Sequence, residues 1–253
     1  MLSVDLNCDM GEGFGAWKMG SDAELMKYAS SVNIACGYHA GDATTIRRTV
    51  ETAIEKGVAI GAHPGYPDLE GFGRRPMSLS PQEVFDIVLY QVSALKGICE
   101  ATGGELHHVK PHGALYNQSA KDKILAIEIA RAIKRIDGNL ILYGLSGSCL
   151  ISAAKELGLK SVSEVFADRA YEPDGSLTPR SEPHALIKDH EKAFSQVLQM
   201  VTTSTVTTAN GDKVPVNADT VCIHGDGDHA VELAKTIRDG LVGNHIQIRP
   251  YYM

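Results

Sequence analysis

Strand-like and helix-like segments alternate along the whole chain, and this alternation is what most restricts its fold. Amphipathic segments lie between the short β-type runs, and several carry helix-end signals. Ser21 with Glu24 and Ser80 with Glu83 form predicted capping boxes, and Gly57 ends another helix. Strands separated by helices pair in parallel, so the sequence predicts a parallel sheet with helices packed outside it. The predicted strands lie near residues 4–7, 32–36, 58–62, 106–110, 140–143, 161–166, 220–224 and 245–249.

Several of these strands place their polar residues on one face. Successive strand residues point to opposite sides, so Asp5, Asn7 and Asp9 share a face, and Lys110 shares one with His112. If the apolar faces pack against the helices, the polar faces point into a barrel. Most barrels fill that space with branched apolar side chains. A polar interior is costly unless its groups bond one another, an ion or a substrate. We therefore expect a (β/α) barrel of seven or eight mostly parallel strands with a polar lumen.

Four strands end in a histidine close to a glycine: His39, His63, His112 and His224. In a parallel barrel such residues meet at the C-terminal rim, where barrel active sites form. The glycines allow the backbone and a ligand to approach closely.

The candidate site residues follow from this arrangement. A rim carboxylate acts as a base or a metal ligand, a buried lysine needs an anionic partner, and arginine binds carboxylate or phosphate through two parallel hydrogen bonds. The catalytic candidates are Asp9, Glu12, His39, His63, Lys110, His112 and Asp226. The substrate-binding candidates are Asn7, Arg74, Arg169 and His224.

We expect one α/β barrel domain over residues 1–253. A β-hairpin insertion is predicted at about 205–218, with Asn210-Gly211 at its turn. A long loop rich in glycine and proline, residues 168–183, follows the sixth strand, and loops of this length are usually functional or mobile.

Composition excludes several classes of function. The chain has 253 residues, a net charge of −7 and no block of like charge, which argues against a nucleic-acid or membrane-surface role. No apolar run approaches the ~20 residues of a spanning helix, and the N-terminus lacks the basic start of a signal peptide. Five cysteines without a C-x-x-C pattern indicate a reduced, cytoplasmic protein.

Nucleotide-binding motifs are absent from the sequence. The segment "GEGFG" misses the G-x-G-x-x-G spacing, and no G-x-x-x-x-G-K-[ST] occurs. The motifs of serine hydrolases and zinc peptidases, G-x-S-x-G and H-E-x-x-H, are absent too.

Six motifs resemble the LamB/YcsF family across essentially the whole chain. They are "DLNCDMGE", "SVNIACGYHAGD", "GAHPGYPDLEGFGRR", "VKPHGALYN", "EVFADRAYEPDGSLTPR" and "HGDG". The resemblance implies a distorted (β/α) barrel like the glycoside hydrolase/deacetylase barrel. It also implies ATP-dependent opening of 5-oxo-L-proline to L-glutamate, as the A subunit of a 5-oxoprolinase that works with two further subunits.

The candidate residues fit this chemistry. Arg74 or Arg169 would hold the substrate carboxylate, Lys110 the transferred phosphate, and Asp9 or a rim histidine would activate water. We expect ATP as its magnesium complex and no tightly bound metal. One alternative is a stand-alone metal-dependent deacetylase or amidohydrolase, with a divalent ion on Asp9, His39 and His63. The other is a non-catalytic subunit that presents substrate to its partners.

Overall fold

The computed structural model describes residues 2–224 and 229–251. Seven parallel strands close into a barrel, in agreement with the predicted parallel barrel. In their order around the barrel they are β1 (Ser3–Met10), β2 (Ser31–Ala35), β3 (Ala59–His63), β4 (Leu106–Val109), β5 (Ile141–Leu145), β6 (Lys160–Phe166) and β9 (Thr220–Ile223). The ring is closed because β1 pairs with β2 on one side and with β9 on the other.

The eighth predicted strand is short and lies outside this closed ring. It is β10 (Gln247–Ile248), which pairs with Ser3 and Val4, whereas β9 takes the next four residues of β1. Its smaller extent has a local cause: His245 has a φ of +59°, which breaks the extended conformation expected from residue 245 onward.

Helices cover the outside of the barrel, as the strand–helix alternation predicts. Most begin and end at sequence-readable signals: the capping box of Ser80 and Glu83 is present, and Gly57 ends a helix in the left-handed conformation. The helices are α1 (Asp22–Leu25), α2 (Ala43–Lys56), α3 (Pro81–Ala101), α4 (Gly113–Lys121), α5 (Lys123–Ile136), α6 (Cys149–Glu156), α7 (His190–Thr203) and α8 (Ala230–Gly243).

One predicted helix cap is wrong, and one helix was missed. The side chain of Ser21 makes no capping hydrogen bond, because Glu24 pairs instead with Lys27 at 2.6 Å, and α1 is a single turn. The helix α4 was not predicted, since its nine residues follow directly on the strand-end motif that contains Lys110 and His112.

The predicted hairpin is present. Strand β7 (Thr205–Thr207) pairs in antiparallel fashion with β8 (Lys213–Pro215), and Gly211 in the turn has a φ of +88°. Within the described residues, no helix is both long and apolar enough to cross a membrane.

The lumen of the barrel is polar along one wall and apolar along the other. On β1 the alternation holds as predicted: Asp5 and Asn7 are fully buried inside, and Leu6 and Cys8 face the helices. Opposite them, an apolar cluster of Ile141, Tyr143 and Val162 fills the interior on β5 and β6.

Candidate active site

A cavity of about 880 Å³ opens at the C-terminal mouth of the barrel. Eight of the eleven candidate residues line it: Asp9, Glu12, His63, Arg74, Lys110, His112, Arg169 and His224. Asn7 and His39 lie directly behind this wall, and Asp226 falls outside the described residues. Residues far apart in the sequence therefore meet because parallel strands end at the same edge.

Lys110 lies at the centre of a buried ionic network. Its Nζ is 2.9 Å from Oδ1 of Asp9 and 2.9 Å from Oε1 of Glu164. Burial alone lowers the pKa of a lysine, but the carboxylates of Asp9 and Glu164 outweigh it and hold the pKa of Lys110 well above its usual value. Lys110 is therefore a permanent cation rather than a base.

The ammonium group of Lys110 has no spare proton for a ligand. Besides the two carboxylates, it lies 3.2 Å from Oδ1 of Asn7 and 3.1 Å from Sγ of Cys222. Four acceptors compete for three N–H groups. A substrate phosphate that reaches Lys110 has to displace one of these weaker contacts.

Asn7 supports this network instead of facing the cavity. Its amide nitrogen donates to Glu164 at 3.0 Å and to Thr220 at 2.9 Å, and its oxygen accepts from Asn33 at 2.8 Å. With the contact to Lys110, every polar atom of Asn7 is engaged. The structure thus gives Asn7 a positioning role rather than the predicted substrate contact.

Asp9 is an ionised carboxylate fixed at one oxygen. Oδ1 accepts from Lys110 and from Asn33, both at 2.9 Å, and Oδ2 lies 3.3 Å from Nε2 of His63. Burial raises the pKa of Asp9, but the neighbouring His63 and Lys110 outweigh it and hold the pKa well below its usual range. Asp9 is therefore a weak base but a strong anchor for a cation or an imidazolium.

The three strand-end histidines His39, His63 and His112 pack together beside Asp9. The rings of His39 and His112 are stacked with centroids 3.8 Å apart, and Nδ1 of His112 lies 2.8 Å from Nε2 of His63. A Cβ atom on Gly73 would lie 2.8 Å from His39 and 2.9 Å from His112. The glycine of this loop, which also has a φ of +62°, thus lets the backbone pack directly against the rings.

Each of the neighbouring arginines Arg74 and Arg75 has a distinct environment. Arg74 lines the cavity, with its guanidinium 4.9 Å from the centre of the Phe72 ring. Arg75 turns away and binds the carboxylate of Asp68, with its Nε 2.9 Å from Oδ1. Arg74, the member of the pair predicted to bind substrate, is the one that lines the cavity.

Arg169 holds the long loop that the sequence singled out. It is buried and donates to the carbonyl of Thr178 at 2.6 Å and that of Ala185 at 3.4 Å. Burial and the charge of Arg180 lower the pKa of Arg169 to about 10. Because its guanidinium binds these carbonyls, Arg169 positions this part of the cavity wall.

His224 forms a rim pair with Asp168, a residue that sequence patterns did not single out. Its Nδ1 lies 2.8 Å from Oδ1 of Asp168, and its Nε2 lies 2.9 Å from the guanidinium of Arg180. Burial raises the pKa of Asp168, but His224 and the nearby arginines outweigh it and lower the pKa below its usual value. His224 is thus held at the cavity rim between a carboxylate and a guanidinium group.

The most important residue that sequence patterns did not single out is Glu164. On β6 it shares a face with Val162 and Phe166, and the serines lie on the other face. A rule that equates the polar face of a strand with the lumen therefore selects the serines. Here the lumen-facing residues are mainly apolar, and Glu164 is the exception. The detectable signal is that it is the one acidic residue in the predicted strand 161–166.

Comparison with known proteins identifies the family. The model of the LamB/YcsF family matches residues 4–253. The chain belongs to the LamB/YcsF family. The 5-oxoprolinase A subunit of Tolumonas auensis is 57% identical over 249 residues, which cover 98% of this chain and 99% of that protein.

Two solved structures are similar to this chain in fold. A lactam utilization protein from Thermus thermophilus is 45% identical, with a TM-score of 0.93 over 99% of this chain and 100% of that one. A family 4 carbohydrate esterase from Streptomyces lividans in complex with acetate is 12% identical, with a TM-score of 0.52 over 97% of this chain and 91% of that one. This second likeness concerns the fold alone and confirms the expected deacetylase-like barrel.

Proposed function

We propose that this protein is the A subunit of an ATP-dependent 5-oxoprolinase, which opens 5-oxo-L-proline to L-glutamate together with two partner subunits. The observation that carries the proposal is the 57% identity, over 98% of the chain, to the Tolumonas auensis protein of that name. Because that relative is named as one subunit of its enzyme, an assembly of several chains is supported here too.

The charge of the cavity supports an anionic substrate. The whole chain has a net charge of −7, yet the described cavity lining has five basic residues, Arg74, Lys110, Lys121, Arg169 and Arg180, against three acidic ones, Asp9, Glu12 and Asp122. Local basic charge on an acidic protein favours a carboxylate or phosphate ligand. In this proposal Arg74 binds the carboxylate of 5-oxoproline.

The reaction needs activation of an unreactive amide. ATP would phosphorylate the lactam oxygen, after which water adds to the ring carbon and the ring C–N bond breaks to give γ-glutamyl phosphate. A second water hydrolyses this acyl phosphate to glutamate and phosphate. Lys110 offsets negative charge that develops on the oxygens, and a histidine at the rim of the cavity accepts the protons of the attacking waters and returns one to the ring nitrogen.

The assay is ATP-dependent release of glutamate from 5-oxo-L-proline by the chain with its two partners. Arg74→Gln should raise the KM for 5-oxoproline about tenfold or more, because a charge-assisted hydrogen bond contributes roughly 1.5–3 kcal/mol. Arg75→Gln is the matched control, since Arg75 binds Asp68 outside the cavity. Equal effects of the two substitutions would remove Arg74 from the substrate site, and absence of glutamate release by the complete assembly would refute the proposed function.

A further inference from the structure

Three histidines and one glutamate form a compact group at the barrel mouth. One potential ligand atom from each of Glu12, His39, His63 and His112 lies within 4.8 Å of the others. We call these four residues the histidine cluster. Each of them is buried, so its polar atoms need partners other than bulk water.

The hydrogen bonds of two of these rings fix the positions of their protons. Nδ1 of His63 lies 2.7 Å from the carbonyl oxygen of Lys110, and Nε2 of His112 lies 2.8 Å from that of Phe72. A carbonyl oxygen only accepts, so each of these nitrogens carries a proton. The remaining nitrogens, 2.8 Å apart, then both carry lone pairs when the rings are neutral. Two lone pairs that face each other at this distance repel, and a cation between them would be stabilised by both.

His39 provides an independent indication of a ligand. It is fully buried, and neither of its ring nitrogens has a hydrogen-bond partner among the described residues. Its ring is stacked on that of His112, one of the two histidines whose facing nitrogens are 2.8 Å apart. A buried nitrogen without a hydrogen-bond partner is unfavourable, and a bound ion would provide that partner.

Two carboxylates supply the negative charge that a cation here would require. Oε1 of Glu12 lies 3.9 Å from Nδ1 of His112, and Oδ2 of Asp9 lies 3.3 Å from Nε2 of His63. Metal-binding histidines commonly donate their other ring N–H to a backbone carbonyl, as His63 and His112 do here.

We propose that the histidine cluster binds one exchangeable divalent transition-metal ion through His63 Nε2, His112 Nδ1 and a carboxylate oxygen of Glu12. Because the rings of His39 and His112 are parallel, their lone pairs point side by side rather than toward one ion. His39 becomes a further ligand when its ring tilts out of this stack. Ligand nitrogens about 2.0–2.1 Å from a tetrahedral ion lie roughly 3.3 Å apart, so the two facing nitrogens separate by about half an ångström on binding.

The donor set selects the class of ion. Imidazole with carboxylate suits Zn²⁺, Co²⁺ or Fe²⁺, whereas Mg²⁺ and Ca²⁺ take oxygen ligands. The three ligands His63, His112 and Glu12 leave a fourth position, which a water molecule or the tilted ring of His39 would take, and this fits an exchangeable ion and the expectation that no metal is tightly bound. The ligand set differs from the expected Asp9, His39 and His63, because Glu12 and His112 are grouped with the two histidines whereas Asp9 is grouped with Cys222 and His224.

A second group of potential ligands is less suited to a metal. Atoms of Asp9, Cys222 and His224 also lie within 4.8 Å of one another. The ammonium of Lys110 already contacts Asp9 and Cys222, and burial raises the pKa of the Cys222 thiol well above its usual value. This position therefore already holds a cation and lacks a thiolate.

The test is titration of the metal-free protein with Co²⁺, followed by calorimetry and by the visible absorption of the bound ion. We expect one equivalent to bind with the intense bands of a tetrahedral site, and excess Mg²⁺ to leave the bands unchanged. His63→Gln and Glu12→Gln should each weaken binding by at least about tenfold. The readout needs no substrate, ATP or partner chain, so its outcome is separate from that of the proposed function.

The control is His229→Gln, which removes an exposed histidine whose ring lies 6.2 Å from that of His190 and could bind cobalt adventitiously. It should leave the bands intact. Absence of tetrahedral bands in the wild-type protein would overturn the proposal, as would bands that persist in both cluster variants. If His63→Gln fails to fold, Glu12→Gln decides alone, since it keeps the shape of the side chain and removes only its charge.

Discussion

The residue on which the site depends most is Lys110, because it separates two buried carboxylates. Its ammonium contacts Asp9 and Glu164 at 2.9 Å each. Removal of one member of a buried ionic group leaves uncompensated charge, which typically costs about 3–5 kcal/mol. We therefore expect the fold to survive Lys110→Met with a lower stability.

Lys110→Met should therefore lower the free energy of unfolding by about 3–5 kcal/mol, measured in urea, and reduce glutamate release by the assembly at least about a hundredfold. Addition of Glu164→Gln removes one of the stranded charges, so the double variant should regain part of the stability but none of the activity. A double variant no more stable than Lys110→Met would show that the two carboxylates do not repel each other there.

Asp5 illustrates how burial and hydrogen bonding oppose each other at one carboxylate. It is fully buried and accepts from the hydroxyls of Ser30, Ser31, Tyr143 and Thr220, at 2.6 to 3.1 Å. Burial raises the pKa of Asp5, and the hydroxyl donors lower it by less. The folded protein thus holds this proton more tightly than the unfolded chain does.

The pH dependence of stability follows from that direction. A group with a raised folded-state pKa contributes its full stability below its unfolded pKa, about 3.9 for aspartate, and loses it as the pH rises through the folded-state value. The unfolding free energy of the wild type, relative to that of Asp5→Asn, should fall by up to about 1.4 kcal/mol per pH unit between about pH 4 and the raised pKa of Asp5, and level off above it. Urea unfolding at several pH values measures this difference, and a difference that grows with pH would mean that the hydroxyl donors dominate.

At the scale of the elements, a missing side chain on β3 makes room for one on β4. A Cβ on Gly61 would lie 2.1 Å from Nε2 of His108. His108 cannot move aside easily, because it binds Asn33 at 2.8 Å and stacks on Tyr143 at 4.1 Å. The packing between neighbouring strands inside the lumen thus depends on a glycine.

Gly61→Ala should lower the free energy of unfolding by about 1–3 kcal/mol or more, the usual effect of an overfilled core. The matched control is Gly97→Ala in α3, where a Cβ meets nothing within 4 Å. That substitution should stabilise the protein by about 0.5–1 kcal/mol, because alanine has the better helix propensity. Urea unfolding of both variants gives the comparison, and equal effects would contradict the steric explanation.

At the scale of the whole molecule, the cavity contains acids, bases and cations but the sequence has no nucleotide motif. Its mouth is formed by loops that carry Arg74, Arg169 and Arg180. A partner that covers these loops would exclude water and add groups to the site. In the proposed function, the active centre is therefore shared between chains.

The isolated chain should accordingly release almost no glutamate from 5-oxo-L-proline and ATP, and addition of its two partners should create the activity. Each partner alone, and the pair without this chain, are the controls. Full activity of the purified single chain would show that the site is complete within it.

The sequence by itself determined the architecture and much of the site. Strand–helix alternation predicted the parallel barrel, and parity on β1 and β4 placed Asp9 and Lys110 inside, because side-chain direction along a strand is a local property. The histidines at strand ends met at one rim because parallel strands share an edge.

Only the tertiary structure decided which polar groups contact one another. Parity could not select Glu164, because its neighbours on the inner face of β6 are apolar. It could not give the directions of Arg74 and Arg75 either, because a loop rather than a strand sets them. The protons of His63 and His112 could not be placed from the sequence either, since carbonyls of Lys110 and Phe72, brought near by folding, determine which nitrogens keep their lone pairs.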